Sequence, residues 1–353
     1  MTLPSAKPLL HGLTRERLGA DLAETGQPAY RLSQVWSWLY IQRARDWAAM
    51  TNLPAALRTA LDARYDLSAG EIRRSEGEAG QTRKLVVGLR DGEAVETVLI
   101  PAADRRTVCV SSQCGCRFAC AFCASGQAGF SRDLEPGEIV TQVLLAWDTF
   151  GEKPTHVVFM GIGEPLDNYD AVLAAIRILN DADGIGIGAR RLTVSTSGLV
   201  PGIRRLSGEG LQVELSVSLH AADDELRSRL MPINRRHGLD ELLPACRAYT
   251  EATGRIITFE YTMIAGVNDT PMHVRQLVER LRSFPCRVNL IPLSEVREFD
   301  GQPSGRRAVQ EMLAALDQAG INATLRDSKG STIRAACGQL RYAKTAAQGA
   351  PTP

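Results

Sequence analysis

The chain has 353 residues, of which 44% are hydrophobic and 23% charged, and its formal net charge is +1. This length suits one barrel-sized domain with an accessory module, and the composition is ordinary for a globular protein. No apolar run reaches the ~18 residues that span a bilayer, and the N-terminus lacks the apolar segment of a secretory signal. We therefore expect a cytoplasmic protein with no membrane partner, and the near-zero net charge gives no global sign of nucleic-acid binding.

Residues 1–70 are predicted to form an N-terminal helical accessory module. Asn52 and Pro54 mark the start of one helix, which we expect to end near Tyr65. Before it, apolar residues recur with the spacing of a single buried helix face. They are Leu32, Val35, Trp36, Leu39 and Tyr40.

Residues 71–106 are predicted to be a β-hairpin that links this module to the main domain. Two short runs typical of strands, Leu85–Leu89 and Val95–Ile100, lie on either side of the turn signal Asp91-Gly92.

From residue 107 onward, segments typical of strands and helices alternate, which predicts a parallel α/β sheet that is either barrel-like or open. We assign residues 107–342 to this domain and expect a disordered tail at 343–353, where Ala, Pro, Gln and Thr predominate. A seventh strand, Ala323–Arg326, is expected near the end of the domain. The six predicted strands before it are Thr107–Ser111, His156–Met160, Leu192–Ser195, Val213–Leu219, Ile256–Tyr261 and Arg287–Ile291.

Cysteines cluster directly after the first of these strands. Cys116, Cys120 and Cys123 have the spacing C-x3-C-x2-C, and three thiolates on one loop can hold three irons of a [4Fe–4S] cluster. The fourth iron then stays open, as catalysis requires, and can chelate the methionine part of S-adenosylmethionine (SAM). The alternative is a zinc site completed by a distant Cys or His, but no second cysteine pair is present.

The ends of the following strands carry residues suited to binding SAM. Gly161 and Gly163 follow the second strand, and Glu164 is a candidate acceptor for the SAM amino group. Ser195 ends the third strand, and Ser218-Leu219-His220 ends the fourth. Taken alone, a Gly-x-Gly after a strand is usually a turn, and a single serine or histidine is more often structural.

Several motifs in one order resemble those of the RlmN/Cfr family of radical SAM RNA adenine methyltransferases. The resemblance extends from about residue 25 to residue 341 and implies a partial (β/α)6 radical-SAM barrel, preceded by the helical module and the β-hairpin extension. The segments that carry it are Val95–Val98, Cys109–Cys116, Met160–Leu166, Thr193–Gly198, Ser218–Ala221, Met231–Asn234, Asn289–Pro292 and Ala335–Leu340.

The resemblance also implies a mechanism that uses two SAM molecules per turnover. Cys337 would accept a methyl group from the first, and a radical from the second, cleaved at the cluster, would activate that methyl group for addition to adenine. Cys109 would then attack the Cys337 sulfur, release the product and leave a transient disulfide. Glu96 matches the family's proton acceptor. The SAM contacts implied are Gly163, Glu164, Ser195, Ser218, Leu219, His220 and Ser294, the last standing where the family usually has Asn.

The implied substrate is an adenine of 23S ribosomal RNA, and transfer RNA as well if the enzyme is RlmN-like and methylates C2. A Cfr-like enzyme would methylate C8 and confer antibiotic resistance; we favour C2. We expect a monomer, an electron donor such as flavodoxin or ferredoxin, and a second RNA contact on the helical module around Arg31, Arg43 and Arg45. The rival hypotheses are a radical SAM enzyme with another substrate, an iron–sulfur electron carrier and a zinc-stabilised RNA-binding module.

Overall fold

Residues 7–326 and 329–341 are described by a computed structural model, so the tail predicted at 343–353 lies outside the described residues. Among the described residues, no helix has both the length and the apolar character needed to cross a membrane.

The N-terminal segment is helical, as predicted. It contains α1 (Arg15–Glu24), α2 (Tyr30–Tyr40) and α3 (Ala55–Arg64). The Thr14 side chain accepts a hydrogen bond from the Arg17 N–H and so caps α1. Four members of the predicted apolar stripe are buried on α2, and Leu32 is half-buried.

The helical module packs directly on the main domain. The Trp36 indole nitrogen donates to Asp181 over 3.2 Å, and Arg43 and Arg45 both form ion pairs with Asp148. Buried residues of the module and of the sheet belong to one continuous hydrophobic core. Removing residues 1–70 would therefore expose part of that core, and two of the arginines expected to contact RNA already have carboxylate partners.

The predicted hairpin is present but belongs to a longer antiparallel segment. It comprises β1 (Glu71–Glu76), β2 (Arg83–Gly88), β3 (Ala94–Ala102) and β4 (Arg105–Cys109). The strand β1 was not predicted, because five of its six residues are exposed and carry no apolar alternation. Since β4 pairs antiparallel with β3 and parallel with the next strand of the main sheet, the hairpin continues that sheet.

All seven predicted parallel strands are present, with bounds that differ by one or two residues. Two short strands, β5 (Gln113–Gly115) and β6 (Phe130–Asp133), precede and follow the cysteine cluster in the chain and pair as a separate sheet. This sheet was not predicted. The other parallel strands are β7 (His156–Phe159), β8 (Leu192–Thr196), β9 (Glu214–Ser218), β10 (Ile257–Met263), β11 (Cys286–Pro292) and β12 (Asn322–Leu325).

Helices connect the parallel strands. They are α4 (Ala124–Gln127), α5 (Pro136–Phe150), α6 (Tyr169–Asn180), α7 (Val200–Ser207), α8 (Asp224–Leu230), α9 (Leu239–Thr253), α10 (Pro271–Leu281) and α11 (Arg306–Gln318). Short 3-10 helices lie at Leu10–Gly12, Ala189–Arg191, Pro232–Arg235 and Ser331–Ile333.

The sheet is open, with ten strands in the order β1-β2-β3-β4-β7-β8-β9-β10-β11-β12. From β4 to β12 every neighbouring pair is parallel. The α/β partial barrel predicted from the sequence is confirmed, and it carries a seventh parallel strand in addition to the six strand–helix units. Because parallel strands end at the same edge, the loops after them meet there.

Candidate active site

The carboxyl ends of the parallel strands enclose a cavity of about 160 Å³. Most of the site residues predicted from the sequence line this cavity. Those residues are Cys116, Cys120, Cys123, Gly163, Glu164, Ser195, Ser218, His220, Ser294 and Cys337. Three predicted site residues, Glu96, Cys109 and Leu219, do not line this cavity.

The cysteine loop is held by backbone contacts on both sides. The Cys116 N–H donates to the Gly129 carbonyl, and the Ala121 N–H donates to the Leu230 carbonyl, each over 2.9 Å. Gly115 has φ of 80°, and a Cβ there would lie 1.9 Å from the Gly129 oxygen. Ala119 adopts a left-handed φ of 49°, a strained conformation for alanine that recurs at functional sites.

The donor set of this loop fits an iron–sulfur cluster. Burial raises the pKa of the Cys116 thiol to about 12 and that of Cys120 well above its usual value, and the neighbouring cysteine thiolates add to both effects. Bound iron cations would reverse this, because a metal deprotonates the thiols that coordinate it. Among the described residues, no three His, Cys, Asp or Glu side chains converge as ligands of a single metal ion, whereas a cubane takes each thiolate on a separate iron.

The glycine turn after β7 packs against the strand that leads into the cysteine loop. Gly163 has φ of 107°, and a Cβ there would lie 2.8 Å from the Gln113 nitrogen and from the Ser112 hydroxyl. Only glycine fits this conformation and this space without strain. The turn therefore positions the cysteine loop as well as lining the cavity.

Glu164 joins the ends of β7 and β8. Its carboxylate accepts the Ser197 N–H over 2.7 Å and the Leu166 N–H over 3.1 Å. Burial raises the pKa of Glu164, while these hydrogen bonds act in the opposite direction. Each oxygen retains a lone pair, so a ligand amino group in the cavity can still donate to this carboxylate.

His220 is held as a neutral imidazole. Its Nδ1 accepts the Thr262 N–H over 2.9 Å, which leaves the proton on Nε2. Burial lowers the pKa of His220 to about 3. The ring also packs edge-on against Phe122 of the cysteine loop, with 4.7 Å between centroids, so His220 connects the end of β9 to the cluster loop.

A fully buried arginine that was not predicted organises the ends of β8 and β9. Arg227 donates to the carbonyls of Ser197 and Ser218, both over 2.8 Å, and to that of Leu219 over 3.1 Å. A fourth hydrogen bond reaches Asn234 over 2.7 Å. Leu219 is thus part of the support behind the cavity, whereas Ser218 faces it.

The segment that carries Cys337 is tied to the cysteine loop and to β3. The Ala124 N–H donates to the Gly338 carbonyl over 2.7 Å, and the Ser125 hydroxyl donates to the Leu340 carbonyl over 2.6 Å. These contacts place Cys337 at the mouth of the cavity, where it is exposed.

A second cavity of about 290 Å³ joins the two thiols predicted to act together. Cys109, at the end of β4, and Cys337 both line it. Burial raises the pKa of the Cys109 thiol to about 12, a nearby Cys337 thiolate acts in the same direction, and Arg326 acts in the opposite one. The two cysteines lie far apart in the sequence, and only the tertiary structure brings them to one space.

Glu96 lies on β3 and lines neither of the two cavities. Its carboxylate pairs with Lys84 over 3.0 Å and accepts the Arg341 N–H over 2.9 Å. The Ser111 hydroxyl donates to the Glu96 carbonyl over 2.7 Å. Glu96 therefore anchors the Cys337 segment to the strand that neighbours Cys109.

Two further residues of the site were missed by the sequence interpretation. Arg326 follows β12 and lines both cavities, and its guanidinium lies 3.7 Å from the Glu260 carboxylate. A charged residue inside the apolar strand β10 was the available signal for Glu260. For Arg227, on the short helix α8, the sequence offers no comparable signal.

Comparisons with known proteins agree with this arrangement. Residues 110–281 match the Radical SAM superfamily, and residues 9–66 match the ribosomal RNA large subunit methyltransferase N-terminal domain. A probable dual-specificity RNA methyltransferase RlmN of Moorella thermoacetica is 46% identical over 345 residues, which cover 95% of this chain and 97% of that protein.

Two more similar proteins extend the comparison. A probable dual-specificity RNA methyltransferase RlmN of Thermosynechococcus vestitus is 45% identical, with 95% of this chain and 99% of that protein covered. The crystal structure of a radical SAM methyltransferase from Sphaerobacter thermophilus superposes with a TM-score of 0.90 at 45% identity, covering 95% of this chain and 99% of that one. At this identity over nearly the full length, the chain belongs to the RlmN family of radical SAM RNA methyltransferases.

Proposed function

We propose that this enzyme methylates C2 of adenine in 23S ribosomal RNA and in transfer RNA through a methyl group carried on Cys337. The observation that carries the proposal is the position of Cys337, between the cavity of the cysteine loop and the cavity that contains Cys109. The relatives named as dual-specificity RNA methyltransferases support two classes of RNA substrate.

The cluster and SAM supply the one-electron chemistry that activates the methyl group. Cys116, Cys120 and Cys123 would hold the cluster, and Glu164 and His220 would contact SAM from the walls of the same cavity. Ser294 also lines the cavity, so its hydroxyl is available at the position where asparagine is usual.

The remaining steps fall to residues of the second cavity and its surroundings. Cys109 lines the same cavity as Cys337, and its attack on the Cys337 sulfur once the adenine adduct has formed would release the product. Glu96 anchors the Cys337 segment through the Arg341 N–H, and its carboxylate can accept the proton lost from the ring carbon.

We also assign an external one-electron donor of the flavodoxin or ferredoxin type, a monomeric state, and a second RNA contact on the helical module.

The second RNA contact is centred on Tyr30, which is 57% exposed, with the Arg31 guanidinium 4.9 Å from its ring centroid. Exposed aromatic rings and arginine planes are surfaces on which unpaired bases stack.

The test is an anaerobic reaction of the reconstituted enzyme with SAM, a reductant and either 23S ribosomal RNA or transfer RNA. Nucleosides from the digested RNA are separated and compared with both methyladenosine standards by mass spectrometry. We expect 2-methyladenosine from both RNAs. An 8-methyladenosine product would contradict the C2 assignment, and intact SAM cleavage without any methylated adenosine would indicate another substrate.

Cysteine variants separate the mechanism from the substrate. Cys337→Ala should abolish methylation, and Cys109→Ala should accumulate a covalent protein–RNA adduct that gel electrophoresis detects. Cys286→Ala is the matched control, because Cys286 begins β11, at the amino end of the parallel strands, and lines neither of the two cavities. A Cys109→Ala variant that releases methylated RNA at the parental rate would contradict the two-cysteine mechanism.

A further inference from the structure

Arg326 occupies the space that both reactive thiols share. It lines the first cavity together with Cys337, and the second together with Cys337 and Cys109. Its Nη1 lies 3.7 Å from the Glu260 carboxylate and 3.8 Å from the Met160 sulfur.

Glu260 is a buried carboxylate that pairs with this guanidinium. It is buried on β10, and its Oε2 has no hydrogen-bond partner within the described part of the chain. Its Oε1 accepts a hydrogen bond from the Asn289 amide over 3.1 Å. The ion pair with Arg326 therefore supplies the compensating charge that a buried carboxylate requires, and it holds the guanidinium where both cavities are lined by Arg326.

We propose, on the basis of the function proposed above, that Arg326 is a positioning residue that stabilises the thiolate of Cys337 first and that of Cys109 afterwards. Glu260 holds the guanidinium at the wall of the two cavities that these thiols line. A single cation thus serves two nucleophiles in sequence.

The first nucleophile is Cys337, since a thiolate attacks carbon and a thiol does not. The Cys337 sulfur forms a bond to the methyl carbon as the bond from that carbon to the SAM sulfonium breaks. The electron pair leaves with the SAM sulfur, and the thiol proton has gone to solvent beforehand. The Glu260 carboxylate repels a thiolate at Cys337, and the Arg326 guanidinium attracts it.

The second nucleophile is Cys109. The Arg326 guanidinium stabilises its thiolate only after Cys337 has been methylated. A Cys337 thiolate repels a thiolate at Cys109, but an alkylated Cys337 sulfur is neutral. The Cys109 thiolate then forms a sulfur–sulfur bond with Cys337 as the Cys337 sulfur–carbon bond breaks. The electron pair stays on the carbon, which takes up a proton to become the methyl group of the product.

Other charged groups near the two thiols act less directly. A Cys123 thiolate on the cysteine loop repels a thiolate at Cys337. Lys329 and Arg105 line the second cavity but are exposed, so water screens their charges more than that of the half-buried Arg326.

The test measures thiol reactivity and needs no RNA. The full chain with its reconstituted cluster is treated anaerobically with iodoacetamide from about pH 6 to about pH 10, and labelling of Cys337 is quantified by peptide mass spectrometry. Arg326→Gln should slow labelling near neutral pH about tenfold and move the profile up by about one pH unit. Arg326→Lys, which keeps the charge, should restore most of the rate.

Arg326→Lys also distinguishes electrostatics from unfolding, because a variant whose site has opened would not recover the parental profile when the charge alone is restored. Lys329→Gln is the matched control and should leave the profile unchanged. An unshifted profile in Arg326→Gln would overturn the proposal, and so would faster labelling in that variant, since faster labelling reports a site that has opened.

A parallel assay of RNA methylation by the parent enzyme separates this inference from the proposed function. Shifted labelling without methylated RNA would leave the role of Arg326 intact and reject the substrate assignment. Methylated RNA with unshifted labelling would reject the role of Arg326 alone.

Discussion

Arg227 offers the sharpest test of how the site is built. Replacing it with methionine keeps the apolar stem and removes four hydrogen bonds of 2.7–3.1 Å. Their acceptors are the carbonyls of Ser197, Ser218 and Leu219 and the amide oxygen of Asn234. These acceptors lie behind the loops that end β8 and β9.

The magnitude follows from what remains after the substitution. A buried acceptor left without a donor costs about 1–3 kcal/mol. Part of this loss is offset, because burying the guanidinium is itself unfavourable: desolvation lowers the pKa of Arg227 to about 10. We expect Arg227→Met to lower the free energy of unfolding by about 3–5 kcal/mol and to weaken SAM binding.

The assay is chemical unfolding followed by circular dichroism, with SAM affinity measured by calorimetry. Arg229→Met is the matched control, since Arg229 lies on the same helix and is exposed, and it should change the stability by less than about 0.5 kcal/mol. An Arg227→Met variant as stable as this control would refute the reasoning, because the buried carbonyls would then not depend on the guanidinium.

Three further outcomes are expected. Gly163→Ala should cost about 1–3 kcal/mol of stability and weaken SAM binding measured by calorimetry, whereas Gly188→Ala, with no atom within 4 Å of its added Cβ, should be neutral. His220 binds no proton in the folded protein until the pH approaches about 3, whereas in the unfolded chain it is protonated below about pH 6.5. Below that pH, His220 therefore lowers the free energy of unfolding by about 1.4 kcal/mol for each unit of decreasing pH. His220→Asn should reduce that slope in unfolding titrations. Tyr30→Ala should weaken RNA binding in filter assays by about fivefold or more, and Met272→Ala, at a residue that is 51% exposed on α10, should not.

Each of these expectations has a contradicting result. Equal stability of the two alanine variants would mean that the turn at Gly163 tolerates a side chain. An unchanged pH slope in His220→Asn would mean that the imidazole is protonated in the folded protein. Unchanged RNA affinity in Tyr30→Ala would remove the helical module from the proposed RNA surface.

The sequence predicted the parallel strands closely because most of them contain buried apolar residues and end at a turn. It failed for β1, whose residues Glu71–Glu76 are polar and largely exposed, since nothing in such a segment distinguishes a strand from a loop. It also failed for β5 and β6, which are three and four residues long. These strands depend on pairing across the cysteine loop, and their own composition does not predict them.

The sequence by itself determined the cysteine loop, because its three thiols lie within one short segment and their spacing is a local property. It also determined which residues end the parallel strands, and therefore most of the cavity wall. Only the tertiary structure decided that Arg227 supports two strand ends and that Arg326, paired with Glu260, lines both of the cavities that Cys337 lines. These contacts depend on the order of strands in the sheet and on where the last segment of the chain returns, and neither is encoded in local spacing.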